Sequence, residues 1–485
     1  MELKDLSPQP LWQHFAALNA VPRASKKEEG VIAFMLDFGK RLGLETSRDA
    51  IGNVVIKKPA TPGMENRQTV ILQSHLDMVH QKNGDVPFDF ATQGIDMYVD
   101  GDWVKARGTT LGADNGIGVA AIMSLLSATD LVHPAVEAMF TIDEETGMTG
   151  AKELDPANFT GTILLNLDTE EEDELTIGCA GGIDTNTKAS YKEVPAGAGT
   201  IAFDIRIKGL MGGHSGMDII KGRGNANKLM NRLLYKAKKV VDLQLVSLDG
   251  GSLRNAIPRE SQAIVTVPET AQDTFTALVN DFTAVLKEEY KLIEKDLKVE
   301  LSATANATNV MEPDYFLRLL RAIYAVPNGV FRMSPDIEGL VEASSNLARV
   351  VVKDGVFITQ SLQRSSVEST KEDVSMAVGA AFENIGCEVT QGGDYPGWKP
   401  NADSATLRLL LKLYKEHFTH EPKVGACHAG LECGILGGHF AGGLDMISFG
   451  PTITGAHSPD EKVQISSVGR FYDYFLHILR EIPVK

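Results

Sequence analysis

Hydrophobic and polar positions along this chain fall into blocks whose ends share one chemistry. Val70-Ile71-Leu72 leads into His75-Leu76-Asp77, Ala135 to Ile142 leads into Asp143-Glu144-Glu145-Thr146-Gly147, and Ile163-Leu164-Leu165 leads into Asn166-Leu167-Asp168. Continuous apolar runs of this length predict strands buried on both faces, as in a parallel sheet. Ser25 and Glu28 predict a capping box ahead of a helix with Val31, Phe34, Met35, Phe38 and Leu42 on its apolar face, ended by Gly43. Asn53 to Lys58 predicts a strand, and Asn115 to Leu126 a helix starting directly after Asp114. Helix and strand signals alternate in this way as far as Cys179, which is the pattern of an α/β sheet.

After Cys179-Ala180-Gly181-Gly182 the character changes. Short alternating strands (Thr200 to Lys208, Gln262 to Val267, Ala348 to Val352, Gly355 to Gln363) are interleaved with amphipathic helices around Asn225–Val240, Thr270–Lys291 and Glu368–Ile385. That mixture predicts a separate α+β domain. Tyr395-Pro396-Gly397-Trp398 reads as the linker back, after which a helix near Ser404–His417 and the strand-like Met446-Ile447-Ser448-Phe449 resume the α/β style. The expected organisation is a catalytic domain in two pieces, residues 1–185 and 395–485, with a domain of residues 186–394 inserted between them. Its sheet is expected to be mixed and mostly parallel, flanked by helices.

Composition narrows the function classes. A chain of 485 residues with 43% apolar and 23% charged residues has the make-up of a soluble globular protein of two domains. No stretch reaches the roughly 20 apolar residues of a membrane span, and the N-terminus lacks a basic segment followed by an apolar core. Only four cysteines in this length fit a reducing compartment, so a cytoplasmic location is expected. Cys427 and Cys433 have no second pair to make a zinc knuckle. A net charge of −17 argues against nucleic acid and anionic membranes as partners.

The candidate chemistry sits where the strands stop, the place where open α/β sheets bind ligands. Taken singly, each motif has an ordinary explanation. Asp114 in Gly112-Ala113-Asp114-Asn115-Gly116 is a helix N-cap, His75 a surface histidine beside a solvated Asp77, and His457 in Gly455-Ala456-His457-Ser458-Pro459 a loop histidine. Glu144 and Glu145 are harder to dismiss, since adjacent acids at a strand end repel each other unless a cation intervenes. Together, two histidines and three carboxylates are the inventory for two divalent cations about 3.5–4 Å apart. The charges balance as well: two dications against Asp114, Glu145, Asp168 and one hydroxide. Glu144 is then left to accept a proton from an activated water, which makes a hydrolase. The acidic run Glu170-Glu171-Glu172-Asp173-Glu174 reads as a solvated loop that attracts a cationic substrate amine.

With these residues assembled, the chain resembles the M20 family of dinuclear zinc peptidases over nearly its whole length. The resemblance is carried by Leu72-Gln73-Ser74-His75-Leu76-Asp77-Met78-Val79, by Lys105 to Gly116, by Gly178-Cys179-Ala180-Gly181-Gly182, by Asn255-Ala256-Ile257-Pro258-Arg259-Glu260, by His428-Ala429-Gly430-Leu431-Glu432-Cys433-Gly434, and by Gly450 to His457. It implies that His75, Asp114 and Asp168 hold one Zn2+ and that Asp114, Glu145 and His457 hold the other, with Asp114 bridging. Co2+ and Mn2+ are alternatives for the same ligands. It further implies Glu144 as general base and Asp77 as the group orienting His75. The inserted domain is expected to be a lid through which the chain forms a homodimer. In it His214, within Gly212-Gly213-His214-Ser215-Gly216, would reach a substrate carbonyl. Asn255 and Arg364 would grip the substrate carboxylate, and Glu432 is a further substrate-binding candidate. Met148-Thr149-Gly150 and Thr169-Glu170 depart from the family pattern without touching these ligands, and His80 is peripheral.

The function implied is a dipeptidase cleaving unblocked dipeptides, Xaa-His types such as carnosine included. The alternatives are an M20 carboxypeptidase or N-acyl-amino-acid deacylase with the same metal chemistry, and an inert metal- or peptide-binding protein on the same scaffold. The intact Glu144 argues against the last. An NAD-binding role is poorly supported, because Gly222-Arg223-Gly224 lacks the strand context and the third glycine.

Overall fold

A computed structural model describes residues 3–485. The chain forms two compact units, one of Met1–Gly178, Trp398–Ala426 and Leu431–Lys485, the other of Cys179–Gly397 and Cys427–Gly430. No helix among the described residues is long and apolar enough to cross a membrane.

The first unit is built on an eight-stranded sheet. In chain order its strands are β1 (Glu45–Arg48), β2 (Val54–Lys58), β3 (Val70–His75), β4 (Val136–Thr141), β5 (Ile163–Asn166), β6 (Glu174–Cys179), β7 (Lys423–Cys427) and β8 (Asp445–Ser448). In space they run β1-β2-β4-β3-β5-β8-β6-β7. The four central strands β4, β3, β5 and β8 are parallel, whereas β1, β2 and β6 join antiparallel. Every residue of β3, β4 and β5 is buried, which is why these segments read as unbroken apolar runs. In register, His75 lies opposite Thr141, Gln73 opposite Asn166, and Asn166 opposite Ser448. Four carboxyl ends are therefore aligned at one edge of the sheet, and the loops that leave them share a neighbourhood.

Helix α1 (Gln9–Asn19) packs on α3 (Ala113–Ser127), which is buried along almost its whole length, while α2 (Glu29–Arg41) lies against β1 and β2. The Ser25/Glu28 capping box does not form. Glu28 caps nothing with its side chain. Instead its carboxylate accepts hydrogen bonds from the Lys26 and Asp143 amides, and the Ser25 hydroxyl donates to the Met78 carbonyl. Both residues have been drawn from helix capping into holding the loops after β3 and β4. A separate four-stranded sheet pairs Met97–Asp100 with Trp103–Ala106, Trp103–Ala106 with Lys462–Gln464, and Lys462–Gln464 with Ile453–Thr454. It fixes both stems of the loop that carries His457.

The second unit is α+β. Its sheet is antiparallel at every pairing, in the order Lys298–Thr304, Thr200–Lys208, Ser261–Pro268, Gln244–Gly251, Val341–Lys353, Val356–Ser365, Gly181–Ser190, Glu388–Tyr395, with Gly329–Met333 added beside Val341–Lys353. The helix Gln272–Glu289 contributes Phe275, Val279, Phe282 and Leu286 to the core, one residue per turn, as an amphipathic helix must.

Candidate metal centre and active site

The first unit brings together all the metal-ligand candidates. His75 ends β3 and is 1% exposed. Its Nε2 lies 3.1 Å from Asp114 Oδ1 and 3.5 Å from Asp168 Oδ1. Asp114 Oδ2 is 3.3 Å from His457 Nε2, which is itself 2.9 Å from Glu145 Oε2. Ligand atoms of His75, Asp114 and Asp168 lie within 4.8 Å of one another, and so do those of Asp114, Glu145 and His457. Asp114 belongs to both sets. A third set, His75 with Glu144 and Glu145, shows how close the two acids after β4 come to the same point.

Local devices hold the candidate ligands. The backbone at Asp114 is extended rather than helical, although it falls within the first turn of α3 (φ −78°, ψ 113°). This swings the carboxylate away from the capping position that its place before a helix suggests. Asn115 next to it donates from Nδ2 to the Leu167 carbonyl at 2.7 Å and to the Asp168 carboxylate, tying the α3 turn to the end of β5. Asp143 takes positive φ (55°) and its carboxylate accepts from the Thr146 and Thr149 hydroxyls, folding the loop that presents Glu144 and Glu145. Asp77 is fully buried, and its carboxylate accepts from the amides of Glu144 (3.0 Å) and Glu145 (3.3 Å). His75 Nδ1 is nearer the Asp77 carbonyl (3.1 Å) than its carboxylate (3.4 Å). Asp77 therefore holds His75 chiefly through its backbone and the Glu144–Glu145 turn through its side chain.

The electrostatics fit a cation. Burial lowers the affinity of His75 for a proton, but Asp168, Asp114 and Asp77 outweigh it and raise its pKa well above 6.5. The hydrogen bonds of Asp114 and Glu145 push His457 up to about 11. Burial, then the neighbouring acids, raises Glu144 well above the usual carboxylate range and Asp168 to about 6. Without metal, protons bridge histidines to carboxylates where a dication would serve both. Glu145 Oε1 is buried and has no hydrogen-bond partner, a costly condition that a cation would relieve. Oxygen and imidazole donors at this spacing suit zinc and its first-row neighbours.

Glu432 is 1% exposed in the same unit, at the start of the short helix Glu432–His439. Its Oε2 accepts from Gln73 Nε2 and Thr141 Oγ1, both at 2.7 Å, while Oε1 has no partner. Burial raises its pKa to about 8.

His214, Asn255 and Arg364 lie in the second unit. Nδ1 of His214 accepts from the Gly216 and Met217 amides at 3.2 and 3.1 Å. The ring proton is therefore on Nε2, and burial, aided by Arg364, lowers the pKa so that the ring is neutral. Asn255 is exposed beside it, with its carbonyl accepting from the Ser215 amide at 2.8 Å. Arg364 is 5% exposed; Nη1 donates to the Tyr395 hydroxyl at 2.8 Å, and Nε has no partner. His428 joins this group, its Nε2 2.8 Å from Ser344 Oγ. Burial, with Arg364 adding, pushes its pKa down to about 3.

Sequence reasoning did not single out Arg23, Asn115, His428 or Glu461. Asn115 and His428 sit inside motifs already noticed. Arg23 and Glu461 carried no signal beyond Glu461 following His457 by four residues.

Residues 71–481 match the family described as Peptidase family M20/M25/M40. The chain is 44% identical over 489 residues to the cytosol non-specific dipeptidase of Escherichia coli (strain K12), with 100% of each covered. Its structure superposes on the crystal structure of aminoacylhistidine dipeptidase from Vibrio alginolyticus with a TM-score of 0.94 and 44% identity, covering 100% of this chain and 99% of that one. Aminopeptidase PepT from Bacillus cereus ATCC 10987 shares the fold alone, at 16% identity and a TM-score of 0.57 over 98% of this chain and 99% of that one. A match over most of the length, joined to a strand-end cluster of His, Asp and Glu, places the chain in peptidase family M20 and makes it a hydrolase of peptide bonds, with a catalytic and a lid domain.

Proposed function

We propose that the chain is a dinuclear zinc dipeptidase that hydrolyses unblocked dipeptides, Xaa-His dipeptides such as carnosine included. The observation that carries this reading is the sharing of Asp114 between two ligand sets, with half-buried Glu144 grouped with one member of each, His75 and Glu145. The names of the two relatives at 44% identity, a non-specific dipeptidase and an aminoacylhistidine dipeptidase, support the substrate class. His75, Asp114 and Asp168 would hold one ion and Asp114, Glu145 and His457 the other. Two such ions, when bound, acidify a water and polarise a carbonyl.

The protein's own groups do the rest. Glu144 takes a proton from the attacking water and returns it to the leaving amine. Its raised proton affinity suits both halves of that task. His214 offers an Nε2–H donor to the carbonyl oxygen as negative charge develops there. Arg364 presents a planar fork to the C-terminal carboxylate, with Asn255 as a second polar contact; Glu432 is a further proposed substrate-binding residue. The lid domain is proposed to form the homodimer, and the cytoplasm to be the working compartment.

The test is hydrolysis of β-alanyl-His, an α-dipeptide and their N-acetylated forms by metal-stripped protein, before and after zinc return. Zinc-dependent cleavage confined to free-amine substrates is expected. Cleavage of acetylated forms would move the reading to a deacylase or carboxypeptidase. Glu144→Gln should still bind metal while turnover falls about 10²–10⁴-fold, the usual worth of a general base; near-normal turnover would remove Glu144 from that role.

A further inference from the structure

Glu461 is 3% exposed, yet its carboxylate meets no cationic side chain within bonding distance among the described residues. It is held entirely by backbone. Oε2 accepts from the amides of Leu111 (2.7 Å) and Gly112 (2.9 Å), and Oε1 from those of Ala113 (2.7 Å) and Asp114 (3.2 Å). Four consecutive amides converge on one carboxylate only because Gly112 adopts the left-handed conformation (φ 69°), which curls the turn into an anion-binding nest.

The same turn is gripped through its carbonyl by Arg23, which is 1% exposed. Its Nη2 donates to the Gly112 carbonyl at 2.5 Å and to Asn19 Oδ1 at 2.8 Å. Its Nη1 donates to the carbonyls of Leu76 and Asp77, both at 3.1 Å.

We propose that Glu461 and Arg23 are positioning residues that set the bridging carboxylate of Asp114 against His75 and His457. The chain of contacts is continuous. Glu461 shares a loop with His457 and ends on the amide of Asp114. Arg23 links that turn to the two residues following His75. Three of the five candidate ligands are thereby referenced to one buried pair of opposite charge. The proposal rests on the dinuclear reading above, since Asp114 has two ions to serve only in that case.

A purely structural role would look different, and the molecule contains the control. Glu137, also buried, accepts from the amides of Thr160 and Gly161 and from the Thr160 hydroxyl near the amino end of β4, at the opposite end of the strand from the candidate ligands. Glu461→Gln and Glu137→Gln each replace a buried, amide-bound carboxylate by a carboxamide that must turn one N–H donor towards amides.

The experiment titrates the metal-free full-length proteins with Co2+. It reads affinity by chelator competition, geometry by the visible d–d bands, and stability by thermal unfolding without metal. Glu461→Gln is expected to weaken Co2+ binding about 10–100-fold, the usual loss when a ligand's support is removed. Its d–d bands shift, and with zinc at saturation kcat falls while KM stays near that of the parent. Glu137→Gln is expected to lower the unfolding temperature and leave Co2+ affinity and spectrum unchanged. If Glu461→Gln does not fold, Glu461→Asp and Arg23→Lys, which keep the charge and shorten or narrow the grip, carry the same expectation.

Parent-like Co2+ affinity and spectrum in a folded Glu461 or Arg23 variant would overturn the proposal. So would an equal spectral change in Glu137→Gln. A parent protein that takes up a single Co2+ refutes the dinuclear reading and, with it, the bridging carboxylate that the pair is proposed to set; parent-like variants of a protein that takes up two refute the proposal alone. A parent that binds none overturns both.

Discussion

Asp77→Asn separates two roles that one residue combines. The Asp77 carbonyl faces His75 Nδ1, while the carboxylate oxygens take the amides of Glu144 and Glu145. Asparagine keeps the carbonyl contact. It retains one side-chain oxygen and places an NH2 group against the second amide, donor against donor. The loss is one hydrogen bond to a charged acceptor, about 1.5–3 kcal/mol, together with a buried amide left unpaired at about 1–3 kcal/mol. These overlap and do not add. Asparagine is therefore expected to loosen the turn bearing Glu144 and Glu145 and to leave His75 in place. An ion on the proposed Asp114, Glu145 and His457 set should weaken about 10–100-fold, or about 1.4–2.8 kcal/mol. One on the proposed His75, Asp114 and Asp168 set should change only a few-fold. Competitive zinc titration against a chromophoric chelator, fitted to two steps, reads both affinities. Equal weakening of the two ions would refute the reasoning and return Asp77 to the simple role of orienting His75. Unchanged affinities would refute it altogether.

Two further outcomes follow from other contacts. A Cβ on Gly118 would lie 2.6 Å from Asn115 Oδ1, from the Leu167 carbonyl and from Ser74 Oγ; Gly118→Ala should cost about 1–3 kcal/mol of stability in denaturant unfolding and weaken zinc by displacing the asparagine that holds Asp168. His428 is held neutral, its pKa pushed down to about 3 from 6.5; below about pH 6.5 the unfolded chain takes up a proton that the folded chain refuses. Stability should therefore fall by up to about 1.4 kcal/mol per pH unit as acid is added, until about pH 3, and urea unfolding of His428→Asn should show a shallower decline.

The parts legible beforehand are those whose signal is local. β3, β4 and β5 are buried on both faces, so burial writes itself into the sequence as an unbroken apolar run. The acids and histidine at their ends stand out by contrast. The exposed edge strand β1, Glu-Thr-Ser-Arg, has no apolar pattern to read. The Met97–Ala106 hairpin is absent from the sequence reading although its two-residue turn is Gly101-Asp102, a recognised hairpin signal. Ser25 and Glu28 have the spacing of a capping box, but tertiary partners in the β3 and β4 loops compete for both side chains and win. Glu461 and Arg23 were invisible for a related reason. Their partners are main-chain groups, which every residue carries, so nothing in the identity of positions 111 to 114 announces that a carboxylate from position 461 will lie there.

The order of the strands has a consequence for how the enzyme comes into being. β8 is the last strand of the eight-stranded sheet in chain order, yet it lies between β5 and β6 rather than at an edge. His457 meets Asp114 across 343 positions of chain. During synthesis the early strands emerge with the middle of their sheet missing, and the proposed ligand set stays incomplete until His457 has left the ribosome. With that ligand set, hydrolytic power would be withheld by topology alone from any nascent or truncated chain that lacks His457.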